Sequence, residues 1–324
     1  MRIPRSSLVA KMSELKLLQE SVVSEAEIDS LGHMNVRFYV LRASQAHFAL
    51  LEELGIKTGP GQSWRRTDTY NRFHREQFAG ANLGVLGGLI SVEGSDGISG
   101  YYEIRNLDSN DTAATFVITS HVIESETEEI VTIEPPTASQ FAAFQVEVPE
   151  LSRPKTLSLL PPKRVSLEEI SALVPEDSKP FSMNGRRRGL VLPEDCGASG
   201  RLKEDTDPMS ILFRPQPGED LKNMGPPVQR DEHDRRYSFA MMEIRSLSWH
   251  RPVSGDTILS FSADVQYGEK WRHTRRWMFS ENSGELLGIG DHAAVCMDLD
   301  ARRAIPIPAR VREDMDRACL PDLA

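Results

Sequence analysis

The stretch Ile28-Asp-Ser-Leu-Gly-His-Met-Asn-Val36 puts a carboxylate, a glycine, an imidazole and an amide just ahead of a long apolar run. Asp29 has the chemistry of a general base that deprotonates water, or of a nucleophile that attacks a carbonyl carbon itself. His33 can donate to a reacting group or hold the carboxylate, and Asn35 can fix a water. Gly32 permits a left-handed turn or a close backbone approach. A helix beginning at Val36 leaves N–H groups without internal acceptors, and such a donor is worth ~3 kcal/mol to an oxygen that gains charge in a transition state. The same residues have a plainer use, in which Asp29 or Asn35 caps the helix and His33 satisfies a buried carbonyl.

The elements that would position these groups follow from periodicity. Val36, Tyr39, Val40, Ala43, His47, Leu50, Leu51 and Leu54 recur at helical intervals, and Gly55 supplies the stop. Phe38, Leu41 and Phe48 lie off that stripe, so the helix is expected to be enclosed. Extended segments follow at Tyr70 to Phe78, Leu83 to Val92, Tyr101 to Ile104 and Ala113 to Ile123. Turns are expected at Ala79-Gly80-Ala81, Asp96-Gly97 and "LDSND". This is a helix followed by an antiparallel meander.

The order recurs. Phe239 to Trp249, Ile258 to Tyr267, Trp271 to Phe279 and Leu286 to Asp298 repeat the strands, with His74 paired to His250 and Gly80 to Gly255. "LVLPEDCGASG" then stands where "VVSEAEIDSLGHMN" stood, with Asp195 as the remnant of Asp29. The second copy carries extra residues, assigned to the loop "GPPVQRDEHDRR". Its helix is short, around Met209 to Phe213, capped by Asp207 and confined by Pro208 and Pro215. The expected division is an N-terminal unit 1–124 and a connecting segment 125–185, then a degenerate C-terminal unit 186–312 and a tail 313–324. The connection crosses the surface, with a helix in "SLEEISALV" capped by Ser166 and Glu169, and with "IEPPTASQFAAFQVEV" docked on the core.

Asp29, Gly32, His33, Asn35 and Tyr39 form the pattern Asp-x-x-Gly-His-x-Asn-x-x-x-Tyr ahead of an enclosed helix and a meander. This resembles the hotdog-fold acyl thioesterases of the 4-hydroxybenzoyl-CoA thioesterase and acyl-ACP thioesterase superfamily, and the tandem order resembles the fused acyl-ACP enzymes. The resemblance implies an α+β fold of two tandem hotdogs, each a long central helix wrapped by a curved antiparallel sheet, packed as an internal pseudo-dimer. It implies hydrolysis of an acyl-CoA or acyl carrier protein thioester, in the setting of fatty acid metabolism, without a cofactor. Asp29, His33 and Asn35 would be catalytic, and Gly32, Tyr39, Met209, Leu212 and Phe213 would bind substrate. Leu31 stands where the fused enzymes have an Asn, and the intact motif is in the first copy rather than the second. Acyl-CoA is therefore at least as natural a substrate as acyl-ACP. The alternatives are a hydratase or dehydratase of the same fold, whose motif resembles Asp-x-x-x-x-His, and a non-catalytic acyl-binding protein.

Composition bounds the rest. The 324 residues are 39% apolar and 27% charged, as in a soluble globular chain of about two domains, and no apolar run approaches a membrane span. A formal charge of −10 argues against nucleic acid as a partner. Arg186-Arg187-Arg188 reads as a solvated loop, and Lys270, Arg272, Arg275 and Arg276 as a charged outer sheet face or a phosphate site. His74 and His250 read as packing residues and Cys196 as a small buried thiol. Alternation alone leaves the facing of Asp291 and His292 open. Three dispersed cysteines indicate neither disulfides nor a metal, and "MRIPRSSLVAKM" lacks the apolar core of a secretory signal. The expected address is the cytoplasm. Assembly beyond the internal pair stays open.

Overall fold

The computed structural model describes residues 14–93, 97–134, 136–174, 185–214 and 228–324. The N-terminal basic stretch, Asp96, Pro215 and the start of "GPPVQRDEHDRR" lie outside them. Asn35 starts the first helix, α1 (Val36–Glu53): its side chain accepts the Arg37 N–H, and Gly55 turns the chain out at φ 71°. The stripe expected from periodicity is the buried one, since Tyr39, Ala43, Ala46, His47, Leu50 and Leu51 pack on the sheet. The helix is not fully enclosed, however. Phe38 and Leu41 look instead into a cleft, with Leu41 37% exposed.

The strands are β1 (Lys16–Val22), β2 (Gln62–Phe73), β3 (Asn82–Glu93), β4 (Gly97–Asn106), β5 (Thr112–Glu124), β6 (Gly185–Leu190), β7 (Gln229–Arg230), β8 (Arg236–Ser248), β9 (Thr257–Tyr267), β10 (Trp271–Ser280), β11 (Leu286–Asp298) and β12 (Arg303–Ala304). They form one sheet in the order β1-β3-β4-β5-β2-β8-β11-β10-β9-β6, with β7 and β12 off the path. Every pairing is antiparallel, and the order reads the same outward from the β2–β8 seam in both directions. The fold is thus α+β: one large antiparallel sheet with few helices.

β6 corrects the reading of the arginine triplet as a solvated loop. Arg186 and Arg187 sit in a strand paired to β9, and Arg186 donates to the carbonyls of Ser171 and Val174. Three further helices punctuate the chain: α2 (Ala138–Phe144), α3 (Leu167–Leu173), whose Ser166–Glu169 capping box forms as expected, and α4 (Pro208–Leu212), capped by Asp207. A fifth, α5 (Ala309–Ala318), runs across the boundary expected at 312 and 313.

Buried charges fasten the connection to the seam. Glu243 accepts the N–H groups of Lys155, Thr156 and Leu157 and the Tyr70 hydroxyl. Arg245 pairs with Asp68 at 2.8 Å and donates to the carbonyls of Ser158 and Leu160, while Arg72 donates to those of Leu151 and Arg153. A buried carboxylate or guanidinium with this many partners is satisfied, whereas removing it would strand several backbone groups. Among the described residues, no helix is long and apolar enough to cross a membrane.

Candidate active site at the mouth of the first helix

The loop before α1 is fixed by backbone bonds before its side chains are considered. Asp29 N–H donates to the His33 carbonyl at 3.0 Å, and Gly32 N–H returns to the Asp29 carbonyl at 2.9 Å, with Gly32 at φ 81°. That left-handed angle is the physical reason for glycine there. Met34 N–H donates to Gln77 O at 2.7 Å and Asn35 N–H to Glu27 O at 2.9 Å, so the end of β2 is drawn against the loop. Arg42, buried on α1, grips Glu27 through two bonds of 2.9 and 3.0 Å and holds helix and loop together.

Asp29 is 5% exposed. One carboxylate oxygen accepts Leu31 N–H at 2.9 Å and the other accepts Asn35 Nδ2 at 3.2 Å. His33 Nδ1 stands 3.7 Å from Asp29 Oδ1, and His33 Nε2 stands 3.5 Å from Glu76 Oε1. Burial pushes the Asp29 pKa above the usual carboxylate range and Glu76 adds to the push, while His33, the Leu31 N–H and the Asn35 amide pull it back. A desolvated but hydrogen-bonded carboxylate is a stronger base than one in water, which suits it to acting on a water or a carbonyl.

Most of the N–H groups at the helix mouth turn out to be taken. Asn35 accepts from Arg37 with its side chain and from Phe38 with its carbonyl. Among the described residues, the N–H groups of His33 and Val36 have no acceptor, and both residues line the cleft. Donors free in this way can take up an oxygen that gains negative charge.

The cleft, about 2950 Å³, runs between α1 and the second half of the sheet. Asp29, His33, Asn35 and Tyr39 line it from one side and Met209, Leu212 and Phe213 from the other. Gly32 shapes the loop without lining the cleft. Tyr39 is 3% exposed, edge-on to Phe73 at 5.5 Å, and its hydroxyl reaches the Arg75 carbonyl. Leu212 is mostly core, packed with Val191, Ile258 and Met278, so Met209 and Phe213 offer more surface to a ligand.

Glu76 was not singled out from the sequence. It follows β2, closes the acid–imidazole–acid series on His33, and is held from the second half by Arg302 at 2.8 Å. It comes beside the motif loop only through folding, by the Met34 N–H to Gln77 carbonyl bond. The other candidates resolve as follows. His74 hydrogen-bonds Thr115, and burial brings its pKa down to about 4. His250 is not its counterpart, because the backbone bonds to Ala113 and Leu287 equate His74 with Trp249 and Arg75 with His250. Arg75 pairs with Asp111 and His250 with Glu285, a shared ion-pair position. Asp291 binds His273 and Arg275, whereas His292 lines the cleft. Arg272 and Arg275 are buried in ion pairs with Asp264 and Asp291 rather than lying on a solvated face; Lys270 is exposed. Cys196 is half-buried beside α4, and burial raises its pKa, so it is no activated thiol.

Residues 23–141 match the family model of the thioesterase-like superfamily. Over the whole chain, the fold is that of a putative oleoyl thioesterase from Lactobacillus plantarum, with a TM-score of 0.57 at 14% identity, covering 91% of this chain and 99% of that one. A 12:0-ACP thioesterase from Umbellularia californica gives a TM-score of 0.58 at 10% identity, covering 86% and 93%. An acyl-ACP thioesterase from Bacteroides thetaiotaomicron gives 0.53 at 9%, covering 86% and 96%. At these identities the likeness is one of fold. No curated protein matches the chain. The family match thus lies in the first part of the chain, and the likeness over most of its length is one of fold.

Proposed function

We propose that the chain hydrolyses an acyl thioester to free acid and thiol, as a fused pair of hotdogs in which only the first copy does chemistry. The observation that carries this is the buried, hydrogen-bonded Asp29 carboxylate at the mouth of α1, beside His33 and the N–H groups of His33 and Val36, on a cleft large enough for an acyl chain. Asp29 acts as base toward water or as nucleophile toward the thioester carbon. His33, backed by Glu76, donates to the leaving thiolate or the carbonyl oxygen, and Asn35 holds Asp29 in place. The acyl group extends toward Met209 and Phe213. Acyl-CoA and acyl carrier protein are both compatible with this arrangement. A hydratase on the same fold is less well served, because Asp29 and His33 stand together on one loop, 3.7 Å apart.

Asp29→Asn keeps the shape of the side chain and removes the base. Hydrolysis across a panel of acyl-CoA and acyl-ACP substrates, followed by thiol release, should fall at least ~100-fold with little change in thermal stability. Full turnover by a folded variant would return Asp29 to a capping role.

A further inference from the structure

The wall of the cleft opposite Asp29 is not apolar throughout. Backbone bonds at the β-hairpin ends equate Asn106 with Ser280, which puts Arg276 where the first half has Tyr102. In the first half that position lies under α1, where the Tyr102 hydroxyl meets His47 at 2.7 Å. In the second half the helix that follows the counterpart loop, α4, has five residues, and Arg276 lines the cleft instead. Its guanidinium stacks on Phe213 at 5.2 Å, the same ring that carries Arg187 at 4.3 Å. Nη1 donates to Ser260 Oγ at 2.9 Å, while Nε is buried with no hydrogen-bond partner.

Several buried arginines of this sheet have a carboxylate, Arg272 with Asp264, Arg275 with Asp291 and Arg245 with Asp68, while Arg72 is met by backbone carbonyls and Arg66, like Arg276, by a serine hydroxyl. Among the described residues no carboxylate pairs with Arg276. Burial and the neighbouring Arg187 bring its pKa down to about 9, the mark of a cation short of counter-charge. A group left in that state is relieved by an anion supplied from outside the chain.

We propose that Arg276, with Arg187 beside it on Phe213, is a carboxylate-binding subsite, and that the acyl groups this chain accepts carry a second carboxylate at the end remote from the thioester. This rests on reading the cleft as an acyl thioester site. A carboxylate matches the planar guanidinium fork with two parallel bonds, and the Phe213 ring shields one face of the fork from water, where such bonds are strongest. Met209 on the short helix beside Phe213 leaves an apolar path for the methylenes in between.

The test compares suberoyl-CoA with octanoyl-CoA, equal in carbon number. The unsubstituted protein should favour suberoyl-CoA at least ~10-fold in kcat/KM, the scale of one charge-assisted hydrogen bond, and Arg276→Met should erase that ratio. Arg187→Gln should lower the ratio in the same sense, which covers the case of an Arg276 variant that does not fold. Calorimetric titration with free suberate reads the subsite without turnover: binding to the unsubstituted protein, lost in Arg276→Met, supports it even if neither thioester is cleaved, and then the hydrolase reading alone falls. Equal or better use of octanoyl-CoA overturns the proposal, as does a ratio unchanged by both substitutions. Free CoA losing affinity in Arg276→Met as strongly as suberate would assign the arginines to CoA phosphates instead, which also overturns it.

Discussion

The Asp29 loop and its counterpart in the second half share a backbone and almost none of its chemistry. Gly197 N–H donates to Arg201 O and Gly200 N–H to Gly197 O. Leu202 N–H donates to Pro252 O and Lys203 N–H to Asp195 O. Each of these bonds repeats one in the first loop at a shift of 168 residues within the loop, with Pro252 standing for Gln77. Cys196 bridges Leu202 as Ile28 bridges Met34, and Gly200 is left-handed at φ 72° like Gly32. Gly197 therefore occupies the place of Asp29, Arg201 that of His33, and Arg251 that of Glu76. Asp195 is not the remnant of Asp29. It answers to Glu27, and it caps Leu192 and pairs with Arg214 as Glu27 caps Ser24 and pairs with Arg42.

The comparison separates what the loop needs in order to fold from what it needs in order to react. Both loops keep a left-handed glycine, Gly32 or Gly200, and an anchoring acid–arginine pair, Glu27–Arg42 or Asp195–Arg214. The proposed reaction needs the Asp–His–Glu side chains, and at their places the second loop has glycine and two arginines. Those arginines are then closed off. Glu128 of the connection is 4% exposed; it accepts from Arg65 at 3.1 Å and from Arg251 through its N–H, Nε and Nη2, and lies 3.5 Å from Arg201 Nε. The second loop has become a structural joint.

The largest effect should come from breaking that joint. Glu128→Gln leaves Arg65 and Arg251 buried without their counter-charge, and urea unfolding should register a loss of about 3 kcal/mol. Glu126→Gln, exposed two residues away, should cost under ~0.5 kcal/mol. Equal, small losses would mean that the arginines find solvent and that the second loop is not sealed by Glu128.

A smaller effect tests the reacting loop. Glu76→Gln removes the charge behind His33 but leaves Asp29 and its two hydrogen bonds in place, so kcat should fall about 10-fold with KM nearly unchanged. The stability change should be within ~0.5 kcal/mol, because the Glu76–Arg302 pair is exposed at both ends. An unchanged kcat would reduce the reacting set to Asp29 and His33.

How legible these differences were depended on whether they were written in side-chain pattern or in backbone geometry. The strands with apolar alternation were read close to their ends, β9, β10 and β11 among them. β1 and β6 were missed because "KLLQESV" and "GRRRGL" carry too little apolar pattern for edge strands. The start of β2 was missed because Arg65, Arg66 and Asp68 interrupt its alternation; Arg65 and Asp68 pair with Glu128 and Arg245, and Arg66 donates to the Ser44 hydroxyl. The Asp29 motif could be read because chemistry and capping coincide in it. The register of the second loop could not, because Asp195 offers an identical residue two positions from the geometric equivalent, and only the hydrogen bonds reveal the slip. Glu76 and Glu128 act through partners brought together by folding, which no local spacing records.

A further predicted effect concerns the two inner faces of the sheet. Under α1, His47 is fully buried, with Nδ1 2.7 Å from the Tyr102 hydroxyl and Nε2 2.8 Å from the Ser120 hydroxyl. The second half has Arg276 and Ala294 at the positions of Tyr102 and Ser120 and carries no such bridge. Burial, with Arg66 nearby, holds the His47 pKa down to about 3. A depressed folded pKa means that the unfolded chain binds the proton first. The stabilisation from a neutral His47 is therefore fully present above the unfolded value near 6.5 and is lost as pH falls toward about 3. His47→Gln has no such titration. At pH 7 it should be less stable than the parent by ~1–2 kcal/mol for the weakened bonds, and the gap should narrow as pH falls from 6.5. His74 and His292, also held low, titrate in both proteins and cancel in the difference. Urea unfolding of both proteins at several pH values measures that gap. A constant difference across the range would show that His47 is no more protected from protons in the folded state than in the unfolded one. The helix-covered face would then be as open as the cleft-facing one.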